Sequence, residues 1–275
     1  MRSHTESPDR RAVFAFGIAS LLTIALGAVV MANADIPLSI WIRNPIAWLL
    51  AGAVALFLAS RGWLGAWLAP VAAIIIAVSL IGPDQQGVHR WLDLGPVQLN
   101  AAALVLPAAV VAFVRTPAVV AIPSFAIIVG LLAWQPDISQ LAAFALATTL
   151  LCAVRFGWKG VAVALLLSAA AIALCLSRPD PLAPVPHVEG IFTLAWSQSP
   201  VLAITMAVSL ALAALSPLLL RRSAPASLAL TAYFAATSLA FLLGAYPAPL
   251  AGYGLSFVVG WWLGFAAVSG RQARA

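Results

Sequence analysis

The run AVFAFGIASLLTIALGAVVMAN, residues 12–33, decides the class of this protein. It contains no charged side chain and follows directly on Arg10 and Arg11. A helix needs about 20 apolar residues to cross the hydrocarbon core of a bilayer, and this run supplies them. Inside that core only helices and closed barrels satisfy their backbone polar groups. The apolar residues here are continuous rather than alternating, so the helix is the structure expected. With arginines ahead of it and more apolar runs behind, the segment reads as a membrane anchor and not as a cleavable signal peptide.

The same reading extends along the chain. Further apolar runs cover roughly 45–60, 64–82, 98–114, 117–134, 138–155, 159–177, 190–220, 226–245 and 249–269, which makes ten in all. The second is short and leans on interfacial residues such as Trp41 and Trp63. The eighth is long enough to start outside the core or to tilt. The expectation is an all-α, polytopic membrane protein with about ten transmembrane helices. Residues 1–11 read as a cytoplasmic N-terminal arm, 12–269 as one membrane domain and 270–275 as a short basic tail. No internal repeat stands out.

Composition agrees. Of the 275 residues, 64% are hydrophobic and 8% charged, against about 25% charged in an ordinary soluble domain. The mean hydropathy is +1.06. A net charge of +6 could suggest a nucleic-acid partner. The basic residues, however, are scattered in ones and twos between apolar runs and form no basic face, which excludes that class.

Orientation explains the charge better. With the N-terminus in the cytoplasm, the inner side holds Arg2, Arg10, Arg11, Arg61, Arg115, Arg155, Lys159, Arg221, Arg222, Arg271 and Arg274. Only Arg43, Arg90 and Arg178 fall outside, as the positive-inside bias requires. Both termini are then cytoplasmic. The acids sort the other way: Asp35, Asp84, Asp93, Asp137, Asp180 and Glu189 lie outside, and only Glu6 and Asp9 inside. Cys152 and Cys175 fall within apolar runs and read as small buried hydrophobes. His4, His89 and His187 are too scattered to suggest a metal site, so no metal ligand set and no cofactor are indicated; a divalent cation is left open.

Four outer-face segments break the apolar monotony. The first is Gly87-Val88-His89-Arg90-Trp91-Leu92-Asp93-Leu94-Gly95. As a plain loop it would pair Arg90 with Asp93 and rest Trp91 at the membrane interface. The second is Trp134-Gln135-Pro136-Asp137, where Pro136 breaks one helix and Asp137 can cap the next. The third is Pro184-Val185-Pro186-His187-Val188-Glu189-Gly190. Glu189 there is either an N-terminal helix acid or a carboxylate whose pKa is raised at the edge of hydrocarbon, fit to move a proton. The fourth runs from Pro247 to Ser256, with two prolines and two glycines. Irregular backbone at membrane depth is tolerated where protein covers it or where it lines a cavity.

Together, in this order and at these helix boundaries, the four segments resemble the SEDS family (shape, elongation, division and sporulation; RodA, FtsW and SpoVE are of this kind). Gly87 to Gly95 is similar to the family's G-x-x-RW-[LI]-x-LG loop, and Gln135-Pro136-Asp137 to its QPD. Pro186-His187-Val188-Glu189-Gly190-Ile191-Phe192 resembles P-x-x-HTDFIF, and Pro249 to Ser256 resembles PLPF-[IV]-SYGGS. The resemblance spans nearly the whole chain. It implies a peptidoglycan glycosyltransferase of the bacterial inner membrane that polymerises lipid II, the undecaprenyl-linked disaccharide-pentapeptide, during division or elongation. The implied partner is a class B penicillin-binding transpeptidase. Glu189 stands where the family carries its proposed catalytic Asp, and would take the proton of the acceptor hydroxyl. Arg90, Trp91, Asp93, Asp137, His187, Tyr253 and Ser256 would surround the substrate headgroup, with Arg90 suited to a pyrophosphate.

The departures define a second reading. The family's QPSE and following Lys correspond here to Asn100-Ala101-Ala102-Ala103 and Leu106. The long outer loop before the eighth helix is reduced to Ser177–Glu189, with Pro179, Pro181, Pro184 and Pro186. These exchanges describe a catalytically impaired relative acting as a membrane scaffold or regulator of a transpeptidase. A lipid or solute transporter ranks third, because few polar residues lie within the spans.

Overall fold

The structure is a computed structural model that describes residues 10–220 and 224–270. Arg2, Arg221, Arg222, Arg271 and Arg274, which entered the orientation argument, lie outside the described residues, as do most of the N-terminal arm and of the basic tail. The helices, in chain order, are α1 (Arg10–Asn33), α2 (Leu38–Trp41), α3 (Arg43–Ser60) and α4 (Leu68–Val78, extended by a 3₁₀ turn Ser79–Ile81). Next come α5 (Ala101–Phe113), α6 (Ala118–Trp134) and α7 (Ile138–Leu176). The last are α8 (Ile191–Gln198), α9 (Pro200–Leu215), α10 (Ala224–Leu239) and α11 (Leu255–Ser269).

Five stretches are long and apolar enough to cross a membrane: 10–33, 38–60, 138–176, 200–219 and 224–242. Four shorter apolar helices, 68–81, 101–113, 118–134 and 255–269, accompany them. The 39-residue α7 is two helices in one, because Gly157 leaves the helical region with φ 62° and ψ −157°. That conformation is essentially open to glycine alone. Among the described residues, the five long stretches and four shorter helices become ten apolar segments when the two halves of α7 are counted separately, the number read from the sequence.

Large apolar side chains face outward all round. Leu49, Leu50, Ile74, Val119 and Leu166 are each at least 60% exposed. In lipid this outward face is satisfied, but it does not drive helices together. Association there rests on packing and on small residues that let backbones approach. Here α11 lies against α5 and α3, α10 against α7, α1 against α9, and α6 against α7. At the α11–α5 crossing, a Cβ on Gly260 would sit 2.1 Å from the Ala103 carbonyl oxygen, so only glycine permits the contact. Alanines 101, 102, 103 and 109 are buried on the α5 side. The centre is aromatic: Phe16 stacks on Phe265 at 4.3 Å, and Phe234 on Trp261 at 3.9 Å. Hydrogen bonds also cross between helices, among them Thr23 to Ser209 at 2.9 Å, Trp48 to Ser20 at 2.9 Å and Tyr233 to Gln140.

The structure corrects several expected boundaries. The span expected at 98–114 begins as a strand and turns helical only at Ala101, where the Asn100 side chain accepts the Ala103 N–H at 2.9 Å. The expected 190–220 helix is broken at Ser199–Pro200. Proline disfavours a helical residue before it, and the extended Ser199 caps α9 through the Leu202 N–H. The tenth helix starts at Leu255, and residues ahead of it form turns. The second span is preceded by the one-turn α2, which carries Trp41. Arg10 and Arg11, placed in the arm by sequence, are the first residues of α1.

Candidate functional site

The four irregular segments, expected on the outer face, converge at one end of the bundle, around a small hairpin. Trp91–Asp93 (β1) and Gln98–Asn100 (β2) pair antiparallel, with Trp91 opposite Asn100, Leu92 opposite Leu99 and Asp93 opposite Gln98. Gly95, at φ 79°, makes the turn. Its N–H is accepted by the Asp93 carboxylate at 2.8 Å. The exposed Asp93 is thus engaged by its own turn, and it does not pair with Arg90 as the plain-loop reading expected. The ladder continues through the Ala101 N–H to the Arg90 carbonyl at 2.9 Å, which ties the arginine's backbone to the start of α5.

Arg90 forms an ion pair with Asp180 of the short segment after α7. Its guanidinium also lies 5.2 Å from the centre of the Trp91 ring. The partner segment is stiffened in its own right: Asp180 accepts the Leu182 N–H at 3.1 Å, and Arg178 stacks on Trp134 at 4.2 Å. Two donors remain unused here. Arg90 Nε and Arg178 Nη1 are buried without a hydrogen-bond partner. An orphaned buried N–H of a cation is costly, and an anion is the group that would satisfy both.

Glu189 sits at the end of the same segment, half-buried. It does not cap α8, whose N-cap is Gly190 and makes no side-chain cap bond. Instead its carboxylate reaches back to accept the Val185 N–H at 2.8 Å, while its own N–H bonds the Val185 carbonyl at 3.0 Å. Burial pushes the Glu189 pKa above the ordinary carboxylate range. The two backbone hydrogen bonds and the charge of Arg90 pull it back, and Asp180 pushes it up again. The result is a carboxylate within the electrostatic reach of Arg90 whose proton affinity is raised, which suits a general base.

Asp137 is 4% exposed and works as a helix cap. It accepts the Gln140 N–H at 3.3 Å, the Ser139 hydroxyl at 3.2 Å and the Asn100 side-chain amide at 3.2 Å. The Asn100 backbone N–H in turn donates to Ser256 Oγ at 2.7 Å. Asp137 and Ser256 are therefore joined through Asn100, and the pair locks the hairpin to α7 and α11. The adjacent Gln135 donates to Ser79 Oγ at 2.8 Å and ties the end of α6 to that of α4.

The His187 carbonyl accepts the Tyr253 N–H at 2.9 Å, with the two rings 6.3 Å apart. Burial holds the His187 imidazole below its ordinary pKa. The close approach depends on Gly252, where a Cβ would stand 2.5 Å from the Val188 carbonyl oxygen. Asn44, 1% exposed, clamps the same turn by donating to the Gly252 carbonyl at 2.8 Å and accepting the Gly254 N–H at 3.3 Å. Arg43 donates to the Tyr253 hydroxyl at 3.3 Å.

Of the residues expected at the site, Arg90, Trp91 and Glu189 gather around the segment after α7, His187 and Tyr253 form an adjoining pair, and Asp137 and Ser256 lie beneath the hairpin. Sequence reasoning passed over Arg43, Asn44, Asn100, Arg178 and Asp180 as site residues. Arg178 and Asp180 were visible as outer-face charges. Asn44 could have been flagged as a polar residue leading into an apolar run. At the positions that carry charge in the resembled motif, Ala103 and Leu106 are 1% and 0% exposed and packed in the core. Among the described residues no group of three or more His, Cys, Asp or Glu side chains converges.

No protein-family model matches the sequence, and no curated protein matches it either. Solved structures do. The rod shape determining protein RodA of Thermus thermophilus superposes with a TM-score of 0.65 at 21% identity, covering 97% of both chains. A point mutant of that RodA gives 0.66 at 20% identity, over 95% of this chain and 96% of the other. A chain from a peptidoglycan synthase complex, studied for its coordination of polymerization and crosslinking, gives 0.64 at 21% identity over 95% and 96%. Along almost its entire length, this polytopic helical membrane protein has the fold of RodA.

Proposed function

We propose that the protein is a SEDS-type peptidoglycan glycosyltransferase that polymerises lipid II at the outer face of the bacterial inner membrane. The observation that carries the reading is the grouping of Glu189, with its raised pKa, beside Arg90 and its unused Nε. In this reading Glu189 takes the proton from the acceptor sugar hydroxyl. That oxygen attacks the anomeric carbon of the donor, and the bond to the lipid diphosphate breaks. Arg90 and Arg178 offer their free N–H groups to the departing diphosphate, where negative charge develops. Both termini lie in the cytoplasm, by the distribution of Arg and Lys. A class B penicillin-binding transpeptidase is the proposed partner.

The test is polymerisation of labelled lipid II by purified protein, with and without a transpeptidase partner. Glycan chains formed by the native protein and lost in Glu189→Ala are the expected result. Absence of product under every condition overturns the reading in favour of a scaffold that holds a transpeptidase. Two observations favour that second reading: Arg90 is already paired with Asp180, and Ala103 and Leu106 close the core where the resembled motif places charge.

A further inference from the structure

At the opposite, basic end of the bundle, a crevice of about 280 Å³ opens between α5, α6 and the two halves of α7. Its wall is apolar, built from Phe113, Phe125, Leu151, Cys152, Ala164 and Leu167. Its rim includes Ile122 and Val163, which are 56% and 53% exposed, so the crevice opens outward where lipid surrounds the helices. Arg155 and Lys159 also line it. They flank Gly157, so the break in α7 is what puts two cations at the crevice mouth.

Neither cation is neutralised by a carboxylate: among the described residues, the salt bridge recorded is Arg90 with Asp180 at the far end. Arg155 is held by the Phe113 carbonyl and by the Thr116 carbonyl at 2.8 Å, neutral acceptors at the end of α5 that orient the guanidinium and leave its charge. Lys159 is exposed, with its ammonium 5.8 Å from the Trp158 ring. An apolar slot wide enough for part of a chain, open to the membrane and topped by two fixed cations, is complementary to one class of molecule. Basic pockets between helices on this side of a bilayer take anionic lipid headgroups.

We infer that this crevice binds one anionic phospholipid of the inner leaflet, with an acyl chain against Leu151 and Ala164 and its phosphate on Lys159 and Arg155. The site is independent of the polymerase reading and lies at the other end of the molecule.

Native mass spectrometry of the full chain in detergent tests it, with phosphatidylglycerol, phosphatidylcholine of the same acyl chains, and inorganic phosphate as probes. The expected result is a single phosphatidylglycerol adduct, held at least about fivefold more tightly than phosphatidylcholine, because each basic residue near the headgroup is worth about that factor. Lys159→Gln, at an exposed position, lowers phosphatidylglycerol toward phosphatidylcholine. Ala164→Phe fills the slot and removes both lipids. Should that variant melt early, Val163→Trp blocks the rim from a position already half exposed. Equal retention of the two lipids, no effect of Lys159→Gln, full competition by inorganic phosphate alone, or unchanged adducts in a folded slot-filling variant each overturn the assignment.

Discussion

Replacing Asn100 by alanine should loosen the hairpin end of the bundle while leaving every charged residue there in place. Two interactions are lost. The Asn100 side chain caps α5 by accepting the Ala103 N–H at 2.9 Å, and a cap of this kind is worth about 1 kcal/mol. Its amide also donates to the buried Asp137 carboxylate at 3.2 Å, and a hydrogen bond to a charged group contributes about 1.5–3 kcal/mol. The backbone bond to Ser256 survives the substitution. The expected loss is about 2.5–4 kcal/mol, which for a chain of this size lowers the melting temperature by roughly 5–15 °C. Both cysteines are free, Cys175 buried and Cys152 half-buried, so a fluorogenic maleimide reports unfolding in detergent directly. Asn100→Asp separates the two interactions. It keeps the cap but places a second carboxylate about where the amide now meets Asp137. Two adjoining carboxylates cannot both ionise without penalty. This variant binds an extra proton when folded, so its stability relative to the native protein falls as pH rises through the carboxylate range. A melting point within ~1 °C of native for Asn100→Ala, or an Asn100→Asp variant with no pH dependence beyond the native protein's, refutes the role assigned to this residue.

Three other outcomes follow from the geometry. Because burial raises the pKa of Glu189, and a general base must be unprotonated, polymerisation should decline on the acid side at a pH above the ordinary carboxylate range, as read from initial rates of glycan synthesis across pH. Asp180→Asn removes a negative charge that raises the Glu189 pKa and frees Arg90, so that acid limb should move to lower pH; an unmoved limb shows that Asp180 does not act on Glu189. Gly157→Ala meets no neighbouring atom within 4 Å, yet the residue sits at φ 62°, so backbone strain alone should destabilise by about 1–3 kcal/mol in the same thermal assay.

Which features could be read in advance follows from the range of the forces involved. Helix positions are dictated by local hydropathy, so the runs read at 12–33 and 117–134 match α1 (Arg10–Asn33) and α6 (Ala118–Trp134) nearly to the residue. The break at Ser199–Pro200 was also local, since a Ser-Pro pair disfavours the helix ahead of it, but it was hidden by the length of the apolar run on either side. The hairpin carried a sign too: Trp91-Leu92-Asp93 and Gln98-Leu99-Asn100 flank a Gly95-Pro96 turn. Hydropathy outweighed it because Leu99 and the alanines that follow look like the start of a span at 98. The Arg90–Asp180 pair was not legible, because nothing in the sequence near Arg90 distinguishes Asp93, three residues away, from Asp180, 90 positions away. Only the local demand of Gly95 for a carboxylate partner takes Asp93 out of contention.

That pairing explains how the short segment after α7 holds a carboxylate in place. A long loop places a catalytic group by its own internal structure. A short one can do so only by being anchored at both ends. Here Asp180 fixes one end to Arg90 on the hairpin, and the His187 carbonyl fixes the other to the Tyr253 N–H ahead of α11. The Gly252 contact with Val188 admits no Cβ, and Asn44 holds that turn from α3. Glu189 therefore stands on a strap tied at both ends, to the hairpin and to the turn ahead of α11, and its position is set by the bundle and not by the length of the loop. Proline at positions 179, 181, 184 and 186 stiffens the strap further by reducing the conformations open to it when free. In the proposed reaction, the tie through Asp180 is also what the donor's diphosphate would exchange, anion for anion, to reach the guanidinium of Arg90.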